Sequence, residues 1–113
     1  MVITKSEPFT VQEIAKLKER FEVYIKTVID VQKKICVAGV DLHIDGEKLL
    51  LQQGGSQADI CGGGIDLETR TIDFTALINI RPVHNNSSSE IQSPGLRNKY
   101  ESLSKYFFRE LYE

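Results

Sequence analysis

Three groups of residues combine side-chain type and spacing in a way that could do chemistry. The first is Asp41-Leu42-His43. Residues two apart on an extended strand share a face, so a carboxylate and an imidazole would stand side by side. A carboxylate so placed can orient a histidine as a general base or as a metal ligand; the alternative is a hydrogen-bonded structural pair near a strand end. The second group is Asn79-Ile80-Arg81-Pro82, continued by His84, Asn85, Asn86 and Ser87. Asn79 and Arg81 would share the polar face of a strand, and a guanidinium beside a Ser- and Asn-rich loop suits a carboxylate or phosphate. The same guanidinium can instead pin the loop by its carbonyls, or pair with Asp59 or Asp73. The third is Gly62-Gly63-Gly64, which lies inside a strand-like run and lacks the Lys-Ser/Thr of a phosphate loop. Bare backbone there either lets an aromatic ring pack close or opens a groove, and packing is the expectation.

Other chemistries find no pattern. Cys36, His43, Cys61 and His84 lack the paired spacing of a zinc set, and no nucleophile elbow, H-E-x-x-H or calcium loop occurs. No metal or cofactor is implied. Fourteen Lys and Arg against sixteen Asp and Glu give a net charge of −2, so no overall field draws the chain to nucleic acid or to an anionic membrane. No apolar run has the length of a membrane span, and the polar start does not read as a signal peptide, so the expectation is a cytosolic protein with Cys36 and Cys61 as buried thiols.

The elements that must position these residues are an α+β set in one domain. At 113 residues, 41% hydrophobic and 27% charged, the chain suits a single core rather than disorder. Thr10 with Glu13 forms a capping box, and Phe9 with Ile14 a hydrophobic staple, for a helix ending near Phe21 or Glu22. Period-two alternation from Val23 to Val31 predicts a strand, and Ile35 to Ile44 a second that pairs with it as a hairpin. Asp45 caps a short helix over Glu47 to Gln53. Gln57 to Asp66 and Thr71 to Arg81 read as a second hairpin, the last strand having the clearest alternation, with Ile72, Phe74, Ala76, Ile78 and Ile80 facing the core. Val83 to Gln92 is a loop, after which Ser93 and Pro94 start a helix carrying Leu96, Tyr100, Leu103, Phe107 and Leu111. The sum is about four antiparallel strands with helices on one side.

Gly39 with Asp41-Leu42-His43-Ile44-Asp45, Leu49-Leu50-Leu51 before Gly54, Gln57 with Asp59 and Gly62, and Asn79-Ile80-Arg81-Pro82 with Asn86 and Glu90 resemble a family of small bacterial and archaeal proteins of unknown function. The likeness covers nearly the whole chain. It departs where Asp41 replaces a usual Glu, Cys61 an aromatic, Gly64 an Asn and Ser87 an Arg. The resemblance implies the same small α+β fold in a prokaryotic cytosol, carries no activity, and marks Asp41, His43, Asn79, Arg81 and Asn86 again.

The leading functional expectation is a binding or interaction domain whose polar groove, lined by His43, Asn79, Arg81 and Asn86 with Asp41 and Asp59 nearby, takes an anionic ligand or a partner peptide. A homodimer is a second expected partner relation, since Tyr106, Phe108 or Tyr112 exceed what one apolar stripe needs. Two further readings stay open. One is a hydrolase or nuclease-like enzyme in which Asp41 orients His43 and Arg81 stabilises developing charge; the other is a purely structural subunit.

Overall fold

A computed structural model describes residues 2–112. Five strands, β1 (Ile3–Lys5), β2 (Tyr24–Asp30), β3 (Ile35–Ala38), β4 (Ile60–Asp66) and β5 (Ile72–Asp73), form one antiparallel sheet in the order β1-β3-β2-β4-β5. Three α-helices pack on it: α1 (Val11–Arg20), α2 (His43–Gln52) and α3 (Pro94–Phe107). The expected α+β class is the class found, with a fifth strand. β1 went unread because three residues are too few to display a period; it pairs with β3 from Ile3 opposite Ala38 to Lys5 opposite Cys36.

Local signals hold where local contacts make the element. The Thr10 amide donates to Glu13 Oε1 at 2.9 Å and the Glu13 amide to Thr10 Oγ1 at 3.1 Å, closing the capping box. Phe9 is buried just outside it and stacks on Phe108, centroids 4.7 Å apart, which locks α1 to the end of α3. Phe108 is therefore core and not an interface residue.

The sheet is covered on both faces, not one. Ile25, Ile29, Cys36, Ala38, Cys61 and Ile65 face α1 and α3 and join Ile14, Leu17, Tyr100 and Phe107 in the larger core. Val28, Val37 and Ile60 point the other way and bury against Leu50 of α2. Gly46 lets α2 lie close, because a Cβ there would stand 2.7 Å from Val28 Cγ2. Alternation in β2 is still real. Its second face is simply also buried, under α2.

Two expected boundaries fail. The second strand stops at Ala38, Gly39 turns with φ 89°, and α2 begins at His43 rather than Glu47. Leu42 is its N-cap and makes no side-chain cap bond, while Asp45, the expected cap, sits inside the first turn. The last strand is only Ile72–Asp73; residues 77–79 and 82–84 are 3-10 turns, and Leu77 and Ile80 are exposed.

The glycine triplet does what the packing reading expected. On the α1/α3 face the Tyr100 hydroxyl lies 2.6 Å from where a Gly63 Cβ would be, and hydrogen-bonds Thr27 Oγ1 at 2.7 Å. On the other face the Tyr24 ring covers Gly64 and its hydroxyl donates to Asp73 Oδ2 at 2.8 Å.

Candidate functional site

Asp41 and His43 do not form a pair. Because the chain leaves the sheet at Gly39, neither sits on a strand. Asp41 is exposed and takes two hydrogen bonds from Arg20 Nη2, at 2.8 and 2.7 Å. His43 turns inward in the first turn of α2, its Nε2 2.7 Å from the Gly63 carbonyl. A carbonyl only accepts, so Nε2 carries the proton and Nδ1 holds the lone pair in the neutral ring. Burial lowers the His43 pKa below its ordinary value, against the opposing pull of the Gly63 carbonyl. The carboxylate–imidazole base has no geometry here.

Asn79, Arg81 and Asn86 are brought together, and each is also a structural bond-maker. Asn79, buried, matches its side-chain amide to the backbone of Gly62: the Gly62 amide donates to Oδ1 and Nδ2 donates to the Gly62 carbonyl, both at 2.9 Å. This side chain replaces the strand partner that β5 stops providing. Nδ2 also lies 3.0 Å from the Ser89 carbonyl. Asn86 exchanges backbone bonds with Arg81 at 2.7 and 3.1 Å, and its Nδ2 reaches the carbonyls of Asn79, Ser88 and Glu90 at 2.7–2.8 Å. The expected Ser/Asn loop is thus tightly braced.

Arg81 is nine-tenths buried. It donates through Nη1 to the Ile60 carbonyl and through Nη2 to Glu47 Oε2, in an ion pair with a buried glutamate of α2. Its acid is neither Asp59 nor Asp73. Asp59 is half-buried at the end of the 57–59 turn, its carbonyl accepting from the Val31 amide at 2.9 Å, and Asp73 serves Tyr24. Glu47 went unread because its partner is 34 positions away. Its one sequence signal depends on the true start of α2: with the helix running from His43, Glu47 falls on the stripe of His43, Gly46 and Leu50, and an acid on a buried stripe demands a cation.

Around these residues lies a cleft of about 500 Å³. Buried Cys61, Asn79 and Arg81 line it from within; exposed His84, Asn85, Gln92 and Ser93 form its rim at the amino end of α3. Burial drives the Cys61 thiol pKa up to about 12, so it stays a neutral thiol. The guanidinium has five N–H donors. Two are engaged, which leaves three without a protein acceptor among the described residues in a side chain that lines the cleft. His43 does not line it; it borders a separate apolar groove beside α2. The expected single groove is therefore two.

A family model described as a protein of unknown function, DUF5674, matches residues 2–107. The chain belongs to the DUF5674 family. Neither a curated protein nor a solved structure matches it. Among its described residues no helix is long and apolar enough to cross a membrane, and Cys36 and Cys61 are both free and buried.

Proposed function

We propose that this DUF5674 domain is a binding module whose cleft at the amino end of α3 takes a small anionic group, a carboxylate or a phosphate. The observation that carries the reading is Arg81: a nine-tenths-buried guanidinium, fixed by Glu47 and Ile60, that lines the cleft with donors to spare. A cation held rigidly by its neighbours loses little entropy when a ligand arrives, and planar donors suit oxyanions. Glu47 offsets part of its charge, so selectivity falls to donor geometry and to His84 and Asn85 on the rim. Two free buried thiols support a cytosolic, reducing setting, which we take to be prokaryotic.

The hydrolase reading loses its parts: Asp41 is held by Arg20 and His43 lies in the other groove. The test of the binding reading is a thermal-shift and calorimetric screen with orthophosphate and small mono- and dicarboxylates on the wild type and on His84→Glu. His84 is exposed, so the variant places negative charge on the rim without touching the core. A ligand at one hundred times its Kd adds about 2.7 kcal/mol to the wild type, and His84→Glu should remove most of that gain at an unchanged ligand-free midpoint. No response to any anion, or an equal response from the variant, refutes the proposal.

A further inference from the structure

On the opposite face of the sheet, against α2, a second groove of about 670 Å³ has walls of a different chemistry. It follows from three sequence features. α2 begins with Leu42 and Ile44 exposed at its first turn, 60% and 44% accessible. After β5 the chain presents Leu77, 80% accessible, and the half-buried Ile78. Between these walls lie Lys26 of β2 and Ala76, whose small side chain packs over Gly62 of β4. A volume in this range with mainly apolar walls is the form of a small-molecule site.

Lys26 is its one charged lining residue, with His43, Thr75 and Ser89 supplying the remaining polar groups. Among the described residues no carboxylate lies within ion-pair distance of Lys26; the ion pairs are Lys5–Glu13, Arg20–Asp41 and Arg81–Glu47. One unpaired ammonium at the border of an aliphatic groove is complementary to one negative charge on an aliphatic body. We infer that this groove binds a free medium-chain monocarboxylate, its chain along Leu42, Ile44, Leu77 and Ile78 and its carboxylate at Lys26. A membrane surface fits poorly, because recognition of anionic lipid takes a cluster of four or more cations. A symmetric contact of two copies centred on the groove would set Lys26 against Lys26. The inference is independent of the polar cleft.

The experiment is calorimetric titration of the full chain with butanoate, hexanoate, octanoate and decanoate, each below its micelle threshold, and with octanol. Each pair of added methylenes buries about 1.6 kcal/mol of apolar chain, so affinity should rise roughly tenfold per step until the groove is filled. Octanoate should bind about tenfold tighter than octanol, the lower end for one hydrogen bond to a charged group. Lys26→Met should erase that difference and keep the chain-length slope; Leu77→Asp should abolish binding. Both positions are solvent-accessible, so unchanged unfolding midpoints will show that the variants are folded. His84→Glu should leave octanoate affinity untouched. The inference is overturned if octanoate fails to bind at millimolar concentration, if affinity ignores chain length, if Lys26→Met keeps the carboxylate preference, or if His84→Glu removes binding. It is equally overturned if the groove proves to be a self-association face, the wild type dimerising and Leu77→Asp monomeric with no octanoate bound to either.

Discussion

The buried Arg81–Glu47 pair can be dissected with Arg81→Met, Glu47→Leu and the double variant. Removing one partner leaves the other as an uncompensated buried charge, a cost of about 3–5 kcal/mol. Arg81→Met also strips the Ile60 carbonyl of its donor, adding about 1 kcal/mol. The double variant leaves no stranded charge and should lose only about 1–2 kcal/mol, mainly at Ile60. The two singles together therefore exceed the double by about 5 kcal/mol or more, read from a urea-denaturation double-mutant cycle. Since a domain of this size has roughly 5–15 kcal/mol in total, the singles should be visibly marginal. Singles costing under about 1 kcal/mol, or additive values, would refute the argument.

Gly63→Ala would set a Cβ 2.1 Å from the Asp73 carbonyl oxygen and should cost more than about 3 kcal/mol or prevent folding. Gly95→Ala, where the nearest atom is 3.9 Å away, should stabilise α3 by about 0.5 kcal/mol, read like Gly63→Ala from urea denaturation. Because burial lowers the His43 pKa, the unfolded chain binds a proton that the folded one refuses as pH falls below about 6.5. Stability should then drop with a slope of at most about 1.4 kcal/mol per pH unit. His43→Gln should flatten the difference between urea melts at pH 8 and pH 5.5, and parallel curves would contradict the burial account. Cys36 and Cys61, buried with raised pKa values, should resist a thiol reagent at pH 7.5 and react as two thiols in guanidinium; rapid labelling of the native protein would place Cys61 in open contact with the cleft. Asp41→Ala should change stability by no more than about 0.5 kcal/mol, since its bond with Arg20 is exposed.

What the sequence made legible was local. Thr10, Glu13 and Phe9 lie within five residues of one another and define the start of α1; Ser93 and Pro94 do the same for α3, where Ser93 Oγ accepts from the Leu96 amide at 3.3 Å. The β2–β3 hairpin follows from alternation and a polar break, and Lys34 makes the turn at φ 57°. Legibility ended where a distant partner decides. Residues Asp41 to Ile44 have strand-like composition, but α2 is fixed by packing Gly46 and Leu50 onto Val28 and Val37, which no local window contains. The alternation of residues 71–81 is as regular as any in the chain. It yields two strand residues because the Asn79 side chain takes the backbone groups of Gly62, 17 positions earlier, that a longer β5 would have used.

That substitution also accounts for the concavities. Had β5 run on in the same register, it would have covered the outer edge of β4 as far as Ile60, which would face Leu77. Asn79 ends the pairing early, so the chain coils through the 77–79 and 82–84 turns, and the Arg81–Asn86 bridge brings it back. The coiled segment supplies one wall to each cavity: Leu77 and Ile78 to the apolar groove on the α2 face, Asn79, Arg81 and Asn86 to the polar cleft under α3. Arg81, reaching Glu47 on α2, ties that segment to the helix that borders the other cavity. Asn79, Arg81 and Asn86 thus form the cleft wall through the shape they impose. Side chains with freedom to meet a ligand, His84 and Asn85 in the cleft and Lys26 in the groove, stand beside them and have few bonds of their own. Polar residues that mark a site in a sequence can be those that build its walls; in the proposed reading only Arg81 does both, with its spare donors, beside exposed neighbours such as His84 and Asn85.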